Sequence, residues 1–298
     1  MEEEIKRIKR EKEAVILAHN YQIPEIQDVA DFVGDSLELA RKSTEITCKT
    51  IVFCGVRFMA ETAKILSPGK KVLLPEIDAG CPLADMAEPG EVLELKKQHP
   101  AAWIVSYVNT SAEIKAITDV CCTSSNAAKV VRNVPAEEVI FLPDRNLCAY
   151  VRKQVPEKKI ICWDGYCFVH RNFTVEEVKR VREAHPDAEI IVHPECNPEV
   201  QELADGIYST SGMLRRARET ESRTLVVATE EGMLYRLKKE NPGKEFYSLG
   251  SPKICYNMKK ITLKSLKAAL EKERYEITLP GEIMKKARLS LERMIEYI

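Results

Sequence analysis

Residues 14–21, AVILAHNY, read as a short strand in which five apolar residues, Ala14 to Ala18, run into a polar tip carrying His19 and Tyr21. The pattern returns twice: AWIVSYVN (102–109) ends in Tyr107 and Asn109, and AEIIVHPE (188–195) ends in His193 and Glu195. The tips are spaced 88 and 86 residues apart. Other segments keep those offsets. DFVGDSLELARKS (31–43), DVCCTSSNAAKVV (119–131) and DGIYSTSGMLRRA (205–217) place Ser36, Ser124 and Thr210 in register. TIVFCGVRFMAETAKIL (50–66), EVIFLPDRNLCAYVRKQ (138–154) and TLVVATEEGMLYRLKKE (224–240) do the same for Met59, Leu147 and Met233. KVLLPEIDAGCPLADM (71–86), KKIICWDGYCFVHRNF (158–173) and KEFYSLGSPKICYNMK (244–259) carry Cys81, Cys167 and Cys255, with the two offsets in the reverse order, 86 and then 88.

A period of about 87 residues is too long for a solenoid repeat and suits a small domain. Each unit reads strand, helix, strand, helix, strand, helix, strand. The strands are short and rich in Val and Ile, as in sheets buried on both faces. Alternation with helices implies parallel pairing. The expected fold is α/β: three homologous α/β/α sandwich domains with short parallel sheets, related by pseudo-threefold symmetry around a central active site. The expected units are 1–83 with 258–298, 84–170, and 171–257. Helices at 84–99 and 174–184 link them, and the tail packs back on the first.

The chain has 298 residues with a net charge of −1, so no polyanion-binding surface is indicated and nucleic acid is not an expected partner. The charged start MEEEIKRIKREKE lacks the apolar stretch of a signal peptide, and no apolar run approaches a membrane span. A cytoplasmic location is expected. Ten cysteines are many for a reducing compartment, where a disulfide framework is not expected. Cys48, Cys54, Cys148 and Cys162 lie in or beside apolar runs and read as small buried hydrophobes. The adjacent Cys121 and Cys122 read the same way.

Ligands of parallel sheets bind beyond the carboxyl ends of the strands. Three units turned inward would bring His19, Tyr21, Tyr107, Asn109, His193 and Glu195 to one cavity, although each alone is an ordinary strand-end residue. Ser36, Ser124 and Thr210 each precede a helical run. They read either as N-caps or as hydroxyls beside helix N-termini that bind anions. The cysteines ending each fourth strand would converge too. Three thiolates fit zinc with a fourth ligand, or a [4Fe–4S] cluster with one iron left open. Spacing does not choose between them. His170, three residues beyond Cys167, is a candidate for supporting a ligand or touching substrate.

The motifs HNYQ (19–22), GDSLELA (34–40), AGCPLADM (79–86), YVNTSAE (107–113), CTSSNA (122–127), WDGYCFVH (163–170), HPEC (193–196), STSGM (209–213) and CYNMKKIT (255–262) together resemble the quinolinate synthase family nearly end to end. The resemblance implies an oxygen-sensitive enzyme of NAD biosynthesis that condenses iminosuccinate (iminoaspartate) with dihydroxyacetone phosphate, releasing phosphate and two waters. It implies a [4Fe–4S] cluster on Cys81, Cys167 and Cys255, and substrate contacts from His19, Ser36, Tyr107, Asn109, Ser124, His193, Glu195 and Thr210. Glu195, Tyr21 and Tyr107 are the candidates for proton transfer, with His19 and His193 as hydrogen-bond donors or further acid–base groups. Coupling to an iminosuccinate-producing aspartate oxidase or dehydrogenase is a further expectation. Tyr208 departs from the family, which usually has glycine there, and puts the shape of the third anion pocket in question. No cysteine follows Cys255, so no disulfide switch is expected beside that ligand.

Overall fold

The structure, a computed structural model, describes residues 1–297. Its first unit runs α1 (Glu2–Glu11), β1 (Ala14–His19), α2 (Pro24–Val29), β2 (Phe32–Gly34), α3 (Ser36–Glu45), β3 (Thr50–Cys54), α4 (Arg57–Leu66) and β4 (Lys71–Leu73). The second runs α5 (Pro89–Gln98), β5 (Trp103–Tyr107), α6 (Ala112–Ala116), β6 (Val120–Cys122), α7 (Ala127–Asn133), β7 (Glu138–Leu142), α8 (Arg145–Gln154) and β8 (Lys159–Cys162). The third runs α9 (Val175–Ala184), β9 (Glu189–Val192), α10 (Pro198–Leu203), β10 (Gly206–Ile207), α11 (Thr210–Glu219), β11 (Thr224–Ala228), α12 (Gly232–Glu240) and β12 (Glu245–Ser248). Helices α13 (Tyr256–Lys259), α14 (Leu263–Lys272) and α15 (Gly281–Glu296) complete it.

Each unit forms one four-stranded, fully parallel sheet, with orders β2-β1-β3-β4, β6-β5-β7-β8 and β10-β9-β11-β12. The strand order reverses between the first and third strands of each unit, so the crevice for ligands opens beyond His19, Tyr107 and Val192. The repeat has a hydrogen-bond basis. Asp31, Asp119 and Asp205, which open the second aligned segment, each accept a main-chain N–H from the first strand: Ile16 (2.8 Å), Ile104 (2.8 Å) and Ile190 (2.7 Å). Each also donates its own N–H to the carbonyl of that same isoleucine. The aspartate thereby closes the start of the second strand against the first.

A second threefold device holds the strand tips. Gln27 Nε2 donates to the carbonyls of Asn20 (3.1 Å) and Gln22 (2.9 Å), and Gln201 Nε2 to those of Pro194 (2.8 Å) and Cys196 (2.7 Å). The second unit has Lys115 in this register, fully buried, its ammonium donating to the Thr110 carbonyl. Burial pulls its pKa down. An otherwise puzzling buried lysine is therefore the counterpart of two glutamines.

Two expectations need correction. Cys148, on α8, and Cys162, ending β8, are joined by a disulfide with Cα atoms 5.7 Å apart, not packed as separate hydrophobes. Docking of α8 over β8 brings together residues that each sit in an apolar run. The other eight cysteines are free, with Cys54, Cys121 and Cys122 buried. The tail also divides. Helix α14 packs against α1 and β3 of the first unit, whereas α15 lies mainly on α6 and β6 of the second, and also touches α4. Ser290 Oγ donates to the Lys115 carbonyl and Arg293 Nη1 to that of Asp119, and Leu291 and Met294 fill the seam. One apolar core thus runs through the first unit and one face of the second, whose other face has its own cluster around Val92, Ile104, Ile140 and Leu142, and the third has separate clusters on its two faces.

Lys115→Gln keeps an N–H donor for the Thr110 carbonyl and removes a buried charge, so the melting temperature of the cluster-free chain is expected to hold or rise. Lys115→Leu leaves that carbonyl unpaired and is expected to cost about 1–3 kcal/mol. A leucine variant as stable as wild type would contradict this role.

Candidate active site

All twelve site residues expected from the sequence line one cavity, with an empty volume of about 740 Å³ including its mouth. It lies where the three crevices meet. Its walls are buried; His19, Tyr107, His193, Glu195 and Thr210 are each less than a tenth exposed.

The two histidines are oriented by the turn that follows their strands. The N–H of Tyr21 donates to His19 Nδ1 (3.2 Å), and the N–H of Glu195 donates to His193 Nδ1 (3.3 Å). With Nδ1 accepting, the proton of each neutral ring sits on Nε2, available as a donor. Burial, with nearby positive charge, lowers both pKa values to about 3, against the pull of Glu195. Both rings are therefore neutral donors near neutral pH.

His170, on the cysteine loop of the second unit, gathers the rest. Its Nδ1 lies 2.6 Å from Glu195 Oε2 and 3.3 Å from Cys167 Sγ, and its ring stacks on His193 with centroids 4.4 Å apart. Its Nε2 lies 2.8 Å from Thr229 Oγ1, which in turn lies 2.7 Å from the Tyr21 hydroxyl. The tautomer that satisfies both nitrogens has Nδ1–H donating to Glu195 and Nε2 accepting from Thr229, leaving Thr229 to accept from Tyr21. Four side chains from all three units thus form one hydrogen-bonded chain. Burial works against the Glu195 carboxylate, but the His170 contact outweighs it and brings the pKa down to about 2. Burial and the Glu195 charge push both Tyr21 and Tyr107 well above the usual phenol range, so both are protonated.

The hydroxyl residues are not the helix caps. Asp35 caps α3, accepting from the N–H groups of Leu37 (2.9 Å) and Glu38 (2.8 Å), and Ser209 caps α11 by accepting from Gly212 (3.2 Å). Ser36 and Thr210 are the first residues of their helices. Ser124 lies ahead of α7, where it faces the Tyr107 hydroxyl. Thr210 Oγ1 accepts from Asn20 Nδ2 (3.1 Å), whose Oδ1 accepts from Arg236 Nη1 (2.7 Å). Asn109 Oδ1 and Glu195 Oε1 are buried without a protein partner, as expected of atoms meant for a ligand. Tyr208 does not line the cavity; it packs over Gly206 and Gly212, where a Cβ would strike its ring or its own Cβ.

The three cysteines share a geometry. The N–H groups three residues on, at Ala84, His170 and Met258, point at Cys81, Cys167 and Cys255 and favour the thiolate. Burial dominates in the other direction: it lifts Cys81 to about 12, Cys167 well above its usual value, and Cys255 upward. Such thiols ionise when a metal takes them. Three sulfurs from three units in one cavity, each met by a main-chain N–H, fit an iron–sulfur cluster. Cys167, His170 and Glu195 alone also have the atom types of a zinc site, within 4.8 Å of one another, but that set leaves Cys81 and Cys255 unused.

The sequence marks His170 only as one candidate among several, and it carries no distinct signal for Thr229, Asn20, Asp144 or Glu230. Thr229 falls in register with Gly55 and Pro143, so the repeat does not mark it. Asp144 and Glu230 do share a register position, 86 residues apart.

Among the described residues no helix is long and apolar enough to cross a membrane. The family model described as NadA: Quinolinate synthetase A protein matches residues 3–296. Curated relatives named quinolinate synthase include those of Thermodesulfovibrio yellowstonii, 53% identical over 99% of this chain and 98% of the relative, and Pyrococcus furiosus, 52% identical over 99% and 97%. That of Aquifex aeolicus is 49% identical over 99% and 94%. Matched over nearly its whole length to this family and these relatives, the chain belongs to the quinolinate synthase family.

Proposed function

We propose that this chain is the enzyme of NAD biosynthesis that joins iminosuccinate to dihydroxyacetone phosphate, giving quinolinate, phosphate and two waters, with Cys81, Cys167 and Cys255 as ligands of the family's [4Fe–4S] cluster. Carbon, nitrogen, oxygen and hydrogen balance in this condensation with no oxidant. When bound, the cluster therefore supplies Lewis acidity at an iron without a cysteine, easing loss of hydroxide from a substrate-derived group. The observation that carries the reading is the chain from Tyr21 through Thr229 and His170 to Glu195, set beside Cys167 in the shared cavity.

The protein's own groups divide the work. His19 and His193, as neutral Nε2–H donors, hold carboxylate or phosphate oxygens. Ser36, Ser124 and Thr210 add hydroxyls beside them, and the unpaired Asn109 Oδ1 accepts from an imine or hydroxyl. A phenol with so high a pKa keeps its proton and cannot accept another until that proton is passed on. Tyr21 can pass its proton through Thr229 to His170 Nε2, where Glu195 stabilises the resulting imidazolium. The return of that proton serves a departing hydroxyl. Tyr107, facing Ser124 and Glu195, is placed to serve a second transfer. Enclosure keeps a reactive imine from hydrolysis. We place the enzyme in the cytoplasm, receiving iminosuccinate from an aspartate oxidase or dehydrogenase. Its working units are 1–83 with α14 of the tail, 84–170 with α15 packed mainly on it, and 171–257.

In an anaerobic assay with iminosuccinate generated in situ, Tyr21→Phe and Glu195→Gln are expected to lower kcat by about 10²–10⁴-fold while retaining iron. Full turnover in either would remove that residue from the mechanism. Cys81→Ala is expected to be purified with little iron and without activity, and an iron-replete, active Cys81→Ala enzyme would overturn the ligand assignment.

A further inference from the structure

Two buried carboxylates hold the main chain of two cluster-ligand cysteines. Asp144 Oδ2 accepts the N–H of Cys167 (3.0 Å), and Glu230 Oε1 accepts the N–H of Cys255 (3.0 Å). Both carboxylate residues are fully buried, and both lie two residues beyond the third strand of their sheet. The second oxygen of each reaches the start of the following helix: Asp144 Oδ1 accepts from Leu147 (2.7 Å), and Glu230 Oε2 from Gly232 (2.8 Å). Each side chain is thus a bracket between a helix N-terminus and a cysteine.

The brackets add to a link present in all three units. The residue after the bracket position donates its N–H to the carbonyl two residues before the cysteine: Arg57 to Ala79 (2.8 Å), Arg145 to Gly165 (2.8 Å) and Glu231 to Lys253 (3.1 Å). That link positions the loop but leaves the peptide plane of the cysteine itself unfixed. The first unit has Val56 at the bracket position, a side chain that can accept nothing. The Glu230 bracket reaches further. Lys259 Nζ lies 3.0 Å from Glu230 Oε1 and donates to the Tyr21 carbonyl (2.7 Å). The loop of Cys255 is therefore tied to the backbone of the residue at the end of the proton chain.

We propose that Asp144 and Glu230 are positioning residues for the cluster, orienting Cys167 and Cys255 through their main-chain N–H groups, so that two of the three ligands are braced and Cys81 is not. This rests on the assignment of these cysteines as ligands. A carboxylate that accepts the cysteine N–H fixes the direction in which Cβ and Sγ leave the backbone. It also withholds that N–H from the cluster sulfurs, whose hydrogen bonding tunes an iron–sulfur centre.

The test uses the full chain, reconstituted anaerobically with iron and sulfide. Asp144→Asn and Glu230→Gln each offer one acceptor for two N–H groups, so one arm of the bracket is lost while the side chain's size is kept. Cluster-free Asp144→Asn is expected to melt near wild type, since asparagine caps a helix about as well as aspartate, whereas cluster-free Glu230→Gln, which also leaves Lys259 without its carboxylate, is expected to lose melting temperature. Both reconstituted variants are expected to release iron to a chelator about tenfold faster or more, with shifted g-values of the reduced cluster. Leu291→Ala, a core truncation in α15, controls for general loosening. Unchanged release and g-values in both variants would overturn the proposal, as would changes no larger than those in Leu291→Ala at equal loss of melting temperature. If Asp144→Asn does not fold, Glu230→Gln decides by the same criteria. Wild type without iron, or Cys167→Ser with its full complement, would instead defeat the underlying ligand assignment.

Discussion

Three sulfur atoms must meet within the width of one cluster, and each arrives on a loop remote in sequence from the other two. The rest of the molecule follows from that constraint. A loop placed by one unit is accurate only relative to its own sheet, so all three sheets need the same order, the same crevice and the same exit from the fourth strand. The N–H of Arg57, Arg145 or Glu231 on the carbonyl two residues before each cysteine supplies that common exit. The N–H three residues after each cysteine then meets its sulfur. A threefold arrangement offers three ligands, and a cubane has four metal corners. On the proposed ligand assignment, the symmetry that builds the site would leave one corner for substrate.

The proposed catalytic groups depart from the symmetry where the cysteine loops keep it. At the strand tips, the pairs His19 with Tyr21, Tyr107 with Asn109, and His193 with Glu195 occupy equivalent places and differ in chemistry. Two tips supply neutral imidazole donors, and one supplies the only carboxylate among them. The proton chain joins Tyr21 of the first unit, His170 of the second, and Thr229 and Glu195 of the third. It is complete only when the third unit closes on the other two. The first unit shares an apolar core with one face of the second, whereas the two clusters of the third lie within it apart from Tyr21 of the first. Polar bonds such as Arg236 to Asn20 and Tyr235 to Asp28, together with Tyr21 packed on the third unit's core, join that unit to the first.

Much of this was legible in the sequence because repetition turns weak signals into a register. Short Val- and Ile-rich runs gave the strands, and the offsets of 88 and 86 residues gathered twelve residues that the cavity brings together. What escaped has physical reasons. Asp35 and Ser36 are both good capping types, and only the backbone shows that aspartate caps and serine is left free. Cys148 and Cys162 are 14 residues apart, each in an apolar run, and pair because a helix docks on the strand after it. Lys115 hid its kinship with Gln27 and Gln201 behind a change of residue type. Thr229 and His170 meet across a domain boundary, where no within-unit register applies.

On the proposed assignment, three cysteines hold a cluster whose fourth iron faces the substrate cavity. Mössbauer spectroscopy of the anaerobically isolated, iron-57-labelled chain, with and without quinolinate, tests it most directly. The expected result is a [4Fe–4S] spectrum in which one iron of the four shifts when quinolinate binds while the other three do not. Four irons indifferent to the ligand, or a colourless zinc protein that still turns over, would contradict it.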